Sequence, residues 1–276
     1  MGRSEKRCRI KNVVKDRQID VLLIQETKHS NIQARDAKSI WPWDNIEFLA
    51  VDAEGNSGGL LCIWKPDVFF LSECCSTRNL IILSSFTHDL FECIVLNIYA
   101  PNDAIRKRKL WDSIINLKQY FLKPWCLGGN FNEIRYMFDR KGCNRRDRGM
   151  LQFNNFIEHL ALVDIPLLER KFTWCNSLEG ERWSKIDRFL LEPIWLEKYC
   201  FKIWGLPRGV SDHCPLLLME DSRNWGPRPF KFINAWVLHS NFLTIVEKCW
   251  VESSVQGWAS YKLMRKFSLL KLELKK

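Results

Sequence analysis

The residues of this chain that could do chemistry stand where apolar runs stop. Val21-Leu22-Leu23-Ile24-Gln25 ends on Glu26. A carboxylate that closes such a run lies at the rim of a sheet, where it can face solvent and a metal ion. Asp212-His213 follows a Gly-Val loop and precedes the apolar run 215–219, so it sits at the mouth of another strand. Between them lie Asn97-Ile98-Tyr99-Ala100-Pro101-Asn102, Gly128-Gly129-Asn130-Phe131-Asn132 and Ser184-Lys185-Ile186-Asp187-Arg188-Phe189. Five polar stops on five apolar runs imply one shared site built from strand ends. Such a set offers a carboxylate to a cation and hydrogen-bond donors to a developing anion.

Taken singly, each group has an ordinary explanation. Glu26 alone is a solvated strand end. Gly128-Gly129-Asn130 alone is a tight turn, because Gly and Asn tolerate left-handed backbone. Asp187-Arg188 alone is a local ion pair, worth little at a surface. It is their joint, serial occurrence that carries information.

The elements that must position these groups can be read from periodicity. Residues 5–18 are basic with apolar Ile10, Val13 and Val14, which predicts a short helix feeding the run at 21–24. A turn-rich stretch at 55–59 precedes a strand at 60–64, broken by Pro66. Runs at 68–73, 79–87 and 91–100 are rich in β-formers and predict an antiparallel meander. Over 104–121, Leu110, Ile114, Leu117 and Phe121 recur at helical spacing, and Pro124 closes the element. Trp125-Cys126-Leu127 is a strand leading to Asn130. A loop at 139–149 carries Arg140, Lys141, Arg145, Arg146 and Arg148, followed by a helix with Phe153, Phe156, Ile157 and Leu160 on one face. Strands at 171–175, 184–191 and 214–219 are expected to complete a second meander. After Trp225-Gly226-Pro227-Arg228-Pro229 the character changes: 233–250 and 258–275 read as helices. A boundary near 221–229 separates a domain over 1–220 from a linker and helical tail over 221–276.

Composition sets the outer limits. With 46% hydrophobic residues, thirteen Trp and seventeen Phe, the chain can build a large core. A formal net charge of +10 suits a polyanionic partner. Eleven cysteines, none spaced as Cys-x-x-Cys and with no His cluster, argue against a zinc site. They read as reduced, mostly buried thiols, which fits a nuclear or cytoplasmic rather than a secreted protein. No apolar run is long enough to cross a bilayer, so no membrane partner is expected.

At Gln25-Glu26-Thr27, Tyr99-x-Pro101-Asn102, Gly129-x-Phe131-Asn132, Phe172-Thr173-Trp174, Ile186-Asp187-Arg188 and Ser211-Asp212-His213 the chain resembles the endonuclease/exonuclease/phosphatase superfamily. It looks most like the apurinic-endonuclease-like domain of plant-type non-LTR (LINE) retrotransposons. The resemblance implies a four-layer α-β-β-α sandwich of two mostly antiparallel sheets flanked by helices. It implies Mg²⁺-dependent phosphodiester hydrolysis on DNA, with Mn²⁺ as an alternative ion. Glu26 would bind the ion. Tyr99 and Asn102 would contact the scissile phosphate, and Asn132 would orient groups around phosphorus. Asp187 would hold His213, whose ring donates to a phosphate oxygen, and Asp212 would help fix that geometry. Arg145, Arg146, Arg148 and Trp174 are candidate nucleic-acid contacts. The tail Trp225-Gly226-Pro227-Arg228-Pro229-Phe230-Lys231-Phe232 resembles the linker such elements carry ahead of a reverse transcriptase, which makes that domain, absent here, an implied partner.

The chain departs from the family pattern twice. Asn130 stands where the family has the Asp that orients and deprotonates the attacking water. An amide keeps the shape but accepts no proton, and loss of a general base lowers rates by roughly 10²–10⁴-fold. The family's first strand carries a metal-site Asn. This chain opens on Gly2-Arg3-Ser4-Glu5-Lys6-Arg7, which looks like the segment after that strand. The expectations are therefore a sheet without its first strand and impaired chemistry. The alternatives are a non-catalytic nucleic-acid-binding remnant and a phosphatase on the same fold.

Overall fold

The computed structural model describes residues 4–55, 57–176, 182–209, 211–221 and 241–274. The chain divides into two compact units, Met1–Ser222 and Arg223–Lys276.

The first unit is layered because its strands are apolar on both faces. Its main sheet has six strands in the order β4-β5-β6-β7-β12-β8. These are β4 (Phe69–Thr77), β5 (Leu80–Thr87), β6 (Glu92–Tyr99), β7 (Trp125–Asn130), β12 (Asp187–Leu191) and β8 (Val163–Asp164). β4, β5 and β6 form the expected antiparallel meander. β6 and β7 run parallel, with helix α3 (Ala104–Leu117) between them in sequence. A parallel pair needs such a crossover.

One face of this sheet carries Leu80, Ile82, Leu96, Ile98, Leu127 and Leu190. It packs on Leu110, Trp111 and Ile114 of α3 and on Phe153, Phe156 and Ile157 of α4 (Arg148–His159). The other face carries Ile81, Leu83, Cys93, Val95 and Cys126. It packs on a second layer of strands through Leu60, Cys62, Trp64, Ile203, Leu216 and Leu218. That layer consists of two three-stranded sheets, ordered β1-β3-β2 and β14-β13-β9. Their strands are β1 (Val21–Gln25), β2 (Glu47–Val51), β3 (Leu60–Trp64), β9 (Leu167–Leu168), β13 (Phe201–Gly205) and β14 (Leu216–Glu220). All five residues of β3 are buried: Leu60, Cys62 and Trp64 face the main sheet, and Leu61 and Ile63 face outward. The outward side is covered by α1 (Ser4–Asp16) and α2 (Ala34–Ile40) through Val14, Ala37 and Ile40. The order is helix, sheet, sheet, helix, the four-layer sandwich expected from the sequence.

Several expectations need correction. Residues 171–175, 184–191 and 214–219 do not form one meander. β10 (Trp174–Cys175) pairs with β11 (Trp183–Ser184), β12 sits between β7 and β8, and β14 pairs with β13. Their partners are distant in sequence, which local pattern does not reveal. Helix α3 ends at Leu117 rather than Phe121. The chain there tightens into a turn, with Gln119 N–H donating to Asn116 O and Tyr120 N–H to Leu117 O. Five of the eleven cysteines are buried, so burial is not the rule. Cys74 and Cys75 are both exposed because β4 is an edge strand whose outer part extends past the core.

Among the described residues, β1 has no strand partner besides β3 and β14 none besides β13. Residues 4–16 are helical and supply no neighbour to β1. In the second unit, α5 (Phe242–Glu252) and α6 (Ala259–Glu273) meet at Trp250 and Phe267, with ring centroids 5.6 Å apart. The first part of the helix expected at 233–250, and the linker motif at 225–232, lie outside the described residues. No helix among them is long and apolar enough to cross a membrane.

Candidate active site

The site begins as one rung of the main sheet. Asn130 at the end of β7 pairs with Tyr99 on β6 and with Asp187 on β12. Residues paired across neighbouring strands project from the same face, so a phenol, an amide and a carboxylate stand side by side. Tyr99 and Asn130 close their strands, whereas Asp187 opens an antiparallel one. That difference in direction is why all three reach one rim.

Glu26 joins at one end. The Tyr99 hydroxyl donates to Glu26 Oε1 at 2.5 Å, although the two are 73 positions apart. Burial and then the Glu26 carboxylate push the Tyr99 pKa well above its usual value, so the hydroxyl keeps its proton. Glu26 has φ +52° and so needs outside support. Thr27 N–H donates to Gly59 O at 3.2 Å and Lys28 N–H to Gly58 O at 3.1 Å. Beneath it, buried Asn97 of β6 accepts from Gln25 Nε2 at 2.5 Å and donates to Ile24 O at 3.1 Å and Leu61 O at 3.2 Å. One amide thus ties the end of β1 to the main sheet.

His213 joins at the other end. Its Nδ1 lies 2.9 and 3.0 Å from the two Asp187 oxygens. Burial lowers the pKa of the ring. The hydrogen bond and charge of Asp187, with Asp212 and Glu26 adding, outweigh it and leave the pKa above the usual histidine value. Asp187 is set by buried Thr173, whose hydroxyl accepts the N–H groups of Ile186 at 3.0 Å and Asp187 at 3.1 Å. Trp174 bridges to His213, and its indole donates to Asp212 Oδ2 at 2.9 Å. Burial opposes ionisation of Asp212, but the hydrogen bond from Trp174 and the charge of nearby His213 leave its pKa lowered.

Asn130 and Asn132 occupy the centre. Asn130 Oδ1 accepts Asn132 N–H at 2.8 Å, and Asn132 Nδ2 donates to Ala100 O at 2.6 Å. Asn132 has φ +48°. Lys107 from α3 holds this turn, donating to Asn132 O at 2.8 Å and pairing with buried Glu133 at 2.5 Å. Gly129 has φ +139°, and a Cβ there would lie 2.1 Å from Ile98 O. Only glycine lets β7 approach β6 this closely.

Glu26, Tyr99, Asn130, Asn132, Asp187, Asp212 and His213, together with Trp174, are thus linked by pairing or hydrogen bonds. Asn102 is exposed on the loop before α3 and makes no hydrogen bond among the described residues. Arg145, Arg146 and Arg148 are exposed, Arg148 opening α4 rather than lying in the loop. Their loop is anchored beside the site by Cys143, which packs on the cluster of Ile134, Met150 and Ile186 that Trp174 also joins. Sequence reasoning gave no role to Asn97, Thr173, Lys107 or Glu133. Two carried a signal: Asn97 interrupts an apolar strand, and Lys107 falls on the apolar stripe of α3.

Among the described residues, no three His, Cys, Asp or Glu side chains group to enclose a metal. The rim offers the partly exposed carboxylate of Glu26, whose Oε2 lies 3.1 Å from Lys28 Nζ, and at its other end the exposed carboxylate of Asp212. That fits an ion such as Mg²⁺, which keeps several waters and takes one or two carboxylates plus substrate phosphate.

No family model matches the sequence. Solved structures do resemble the fold. The AP endonuclease LMAP from Leishmania major superposes with a TM-score of 0.60 at 14% identity, over 77% of this chain and 81% of that one. The endonuclease domain of TRAS1, a telomere-specific non-LTR retrotransposon, gives 0.58 at 16% identity, over 77% and 91%. An endonuclease/exonuclease/phosphatase family protein from Bacteroides thetaiotaomicron gives 0.54 at 16% identity, over 77% and 87%. With its helix-sheet-sheet-helix layers and strand-end site, the chain has the endonuclease/exonuclease/phosphatase fold.

Proposed function

We propose that this chain is the DNA-cleaving domain of a LINE-type retroelement, built for metal-assisted phosphodiester hydrolysis and weakened at Asn130. The observation that carries the reading is the rung Tyr99, Asn130 and Asp187, with Glu26 at one end and His213 at the other. Glu26 would hold Mg²⁺ (or Mn²⁺), which when bound neutralises charge on the phosphate. The chain's own groups do the rest. His213, whose pKa the hydrogen bond and charge of Asp187 raise, donates to a phosphate oxygen. Tyr99 orients Glu26, and Asn132 frames the turn facing phosphorus. Asn130 presents an amide where water must lose a proton. The basic loop and the net charge of +10 favour the polyanion. Such a role places the chain in the nucleus or cytoplasm, acting beside a reverse transcriptase.

Two observations favour a second reading, a non-catalytic nucleic-acid-binding remnant. Asn130 Nδ2 is a donor and not a base. Both Glu26 oxygens already have protein partners, Tyr99 and Lys28. The Lys28 pair is partly exposed, and a divalent ion competes with it readily.

Plasmid nicking with and without Mg²⁺, by this chain and by Asn130→Asp, separates the readings. The nuclease reading expects metal-dependent nicking that the substitution increases. Salt-sensitive DNA binding with no nicking by either protein leaves the remnant. Hydrolysis of a small phosphomonoester without nicking or binding of DNA points to a phosphatase and sinks both.

A further inference from the structure

Between the site and the basic loop the surface carries three consecutive large apolar residues. Tyr136 is 40% exposed, Met137 40% and Phe138 63%. Such a run on a surface is unfavourable unless something covers it. Its two rings are already arranged as a stack, with centroids 4.9 Å apart and planes 15° from parallel. The guanidinium of Arg135 lies over the Tyr136 ring at 5.0 Å.

This arrangement is held rigidly from below. Residues 137–139 form a single 3-10 turn. Buried Asp139 accepts the N–H groups of Arg135 at 3.0 Å and Tyr136 at 2.9 Å, and its carboxylate is matched by Arg188 at 2.6 Å. Arg135 is fixed by Asn154 Oδ1 at 3.0 Å. The rings therefore lose little freedom when they bind a partner, which favours affinity.

We propose that Phe138, backed by Tyr136, is a stacking platform for an unpaired base of single-stranded DNA. The inference rests on the nucleic-acid reading above and adds the substrate class: DNA with unpaired nucleotides beside the cleavage point. Charge selects this occupant over an apolar protein surface. Arg140 and Lys141 follow the turn directly, Arg145, Arg146 and Arg148 lie just beyond, and no acidic residue stands between Asp139 and Asp147. A flat ring flanked by cations is how proteins hold single strands without reading sequence. Tyr136 lies four residues after Asn132, so their Cα atoms are within about 14 Å. A strand lying on Phe138 is therefore within reach of the candidate site.

The test measures fluorescence anisotropy of a labelled single-stranded oligonucleotide and of its blunt duplex, in EDTA so that cleavage does not interfere. The proteins are the full chain, Phe138→Ala, Phe138→Trp and Arg146→Ala. A second oligonucleotide carrying 2-aminopurine reports stacking directly. Phe138→Ala should weaken single-strand binding by about 5- to 150-fold, the range that stacking of one base supplies. It should leave duplex binding unchanged and abolish 2-aminopurine quenching, while Phe138→Trp retains both. Arg146→Ala should weaken both DNA forms alike. Equal single-strand affinity for the full chain and Phe138→Ala, or no quenching by the full chain, overturns the platform alone. Failure of the full chain to bind either DNA overturns the nucleic-acid reading and the platform with it.

Discussion

On the proposed reading, a single atom type at Asn130 decides the chemistry. Its Oδ1 holds the Asn132 turn, a task that a carboxylate oxygen performs equally well. Asn130→Asp therefore keeps the turn and adds a proton acceptor. Metal-dependent nicking should rise, within about 10²–10⁴-fold, when rates are compared under single-turnover conditions. An unchanged rate would show that water is activated elsewhere. His213 makes the stability of the fold depend on pH. Its pKa is raised in the folded state, so the charged pair with Asp187 stabilises fully below the unfolded value of about 6.5. That contribution fades as pH rises through the folded pKa. Asp187→Asn should accordingly destabilise more at about pH 6 than at about pH 9, measured by urea unfolding. An equal loss at both values would mean that Asp187 does not raise the His213 pKa.

Elements bring these residues together through buried polar contacts. Thr173 is fully buried, and its hydroxyl accepts two backbone N–H groups at the start of β12. Thr173→Val keeps the shape and leaves both donors without that acceptor. Stability should fall by about 1–3 kcal/mol, with nicking or DNA affinity lost alongside because Asp187 is no longer held. A stable variant with unchanged His213 titration by NMR would refute that positioning role. The sides of β1 and β14 that carry no strand among the described residues make a different kind of prediction. Unpaired strand edges recruit other strands. The chain should self-associate as concentration rises in sedimentation experiments, and cooperative unfolding as a stable monomer would exclude this.

For the molecule as a whole, the limit of the sandwich is the relevant quantity. β14 runs to Glu220, and buried Asp221 pairs with Lys202 at 3.1 Å. Truncation after Met219 would remove these contacts, so the cut belongs after Ser222. The shortened chain should melt within a few degrees of the full one in calorimetry. A large drop would show that residues beyond Ser222 complete the core.

Local pattern determined much of this protein. The continuous apolar run of Glu92–Tyr99 and the helical stripe of Leu110 and Ile114 are properties of residues close together in the chain, so they are legible in one dimension. The polar stops at Glu26, Tyr99, Asn130 and His213 were legible for the same reason, since each breaks an apolar run. Only the tertiary structure decided which strands are neighbours. It placed Asp187 opposite Asn130, split the second layer into two sheets, and buried Asn97, Thr173 and Lys107 under the site. Those contacts join residues tens of positions apart, and burial, rather than residue type, turns an ordinary amide, hydroxyl or ammonium into a fixed support for the site.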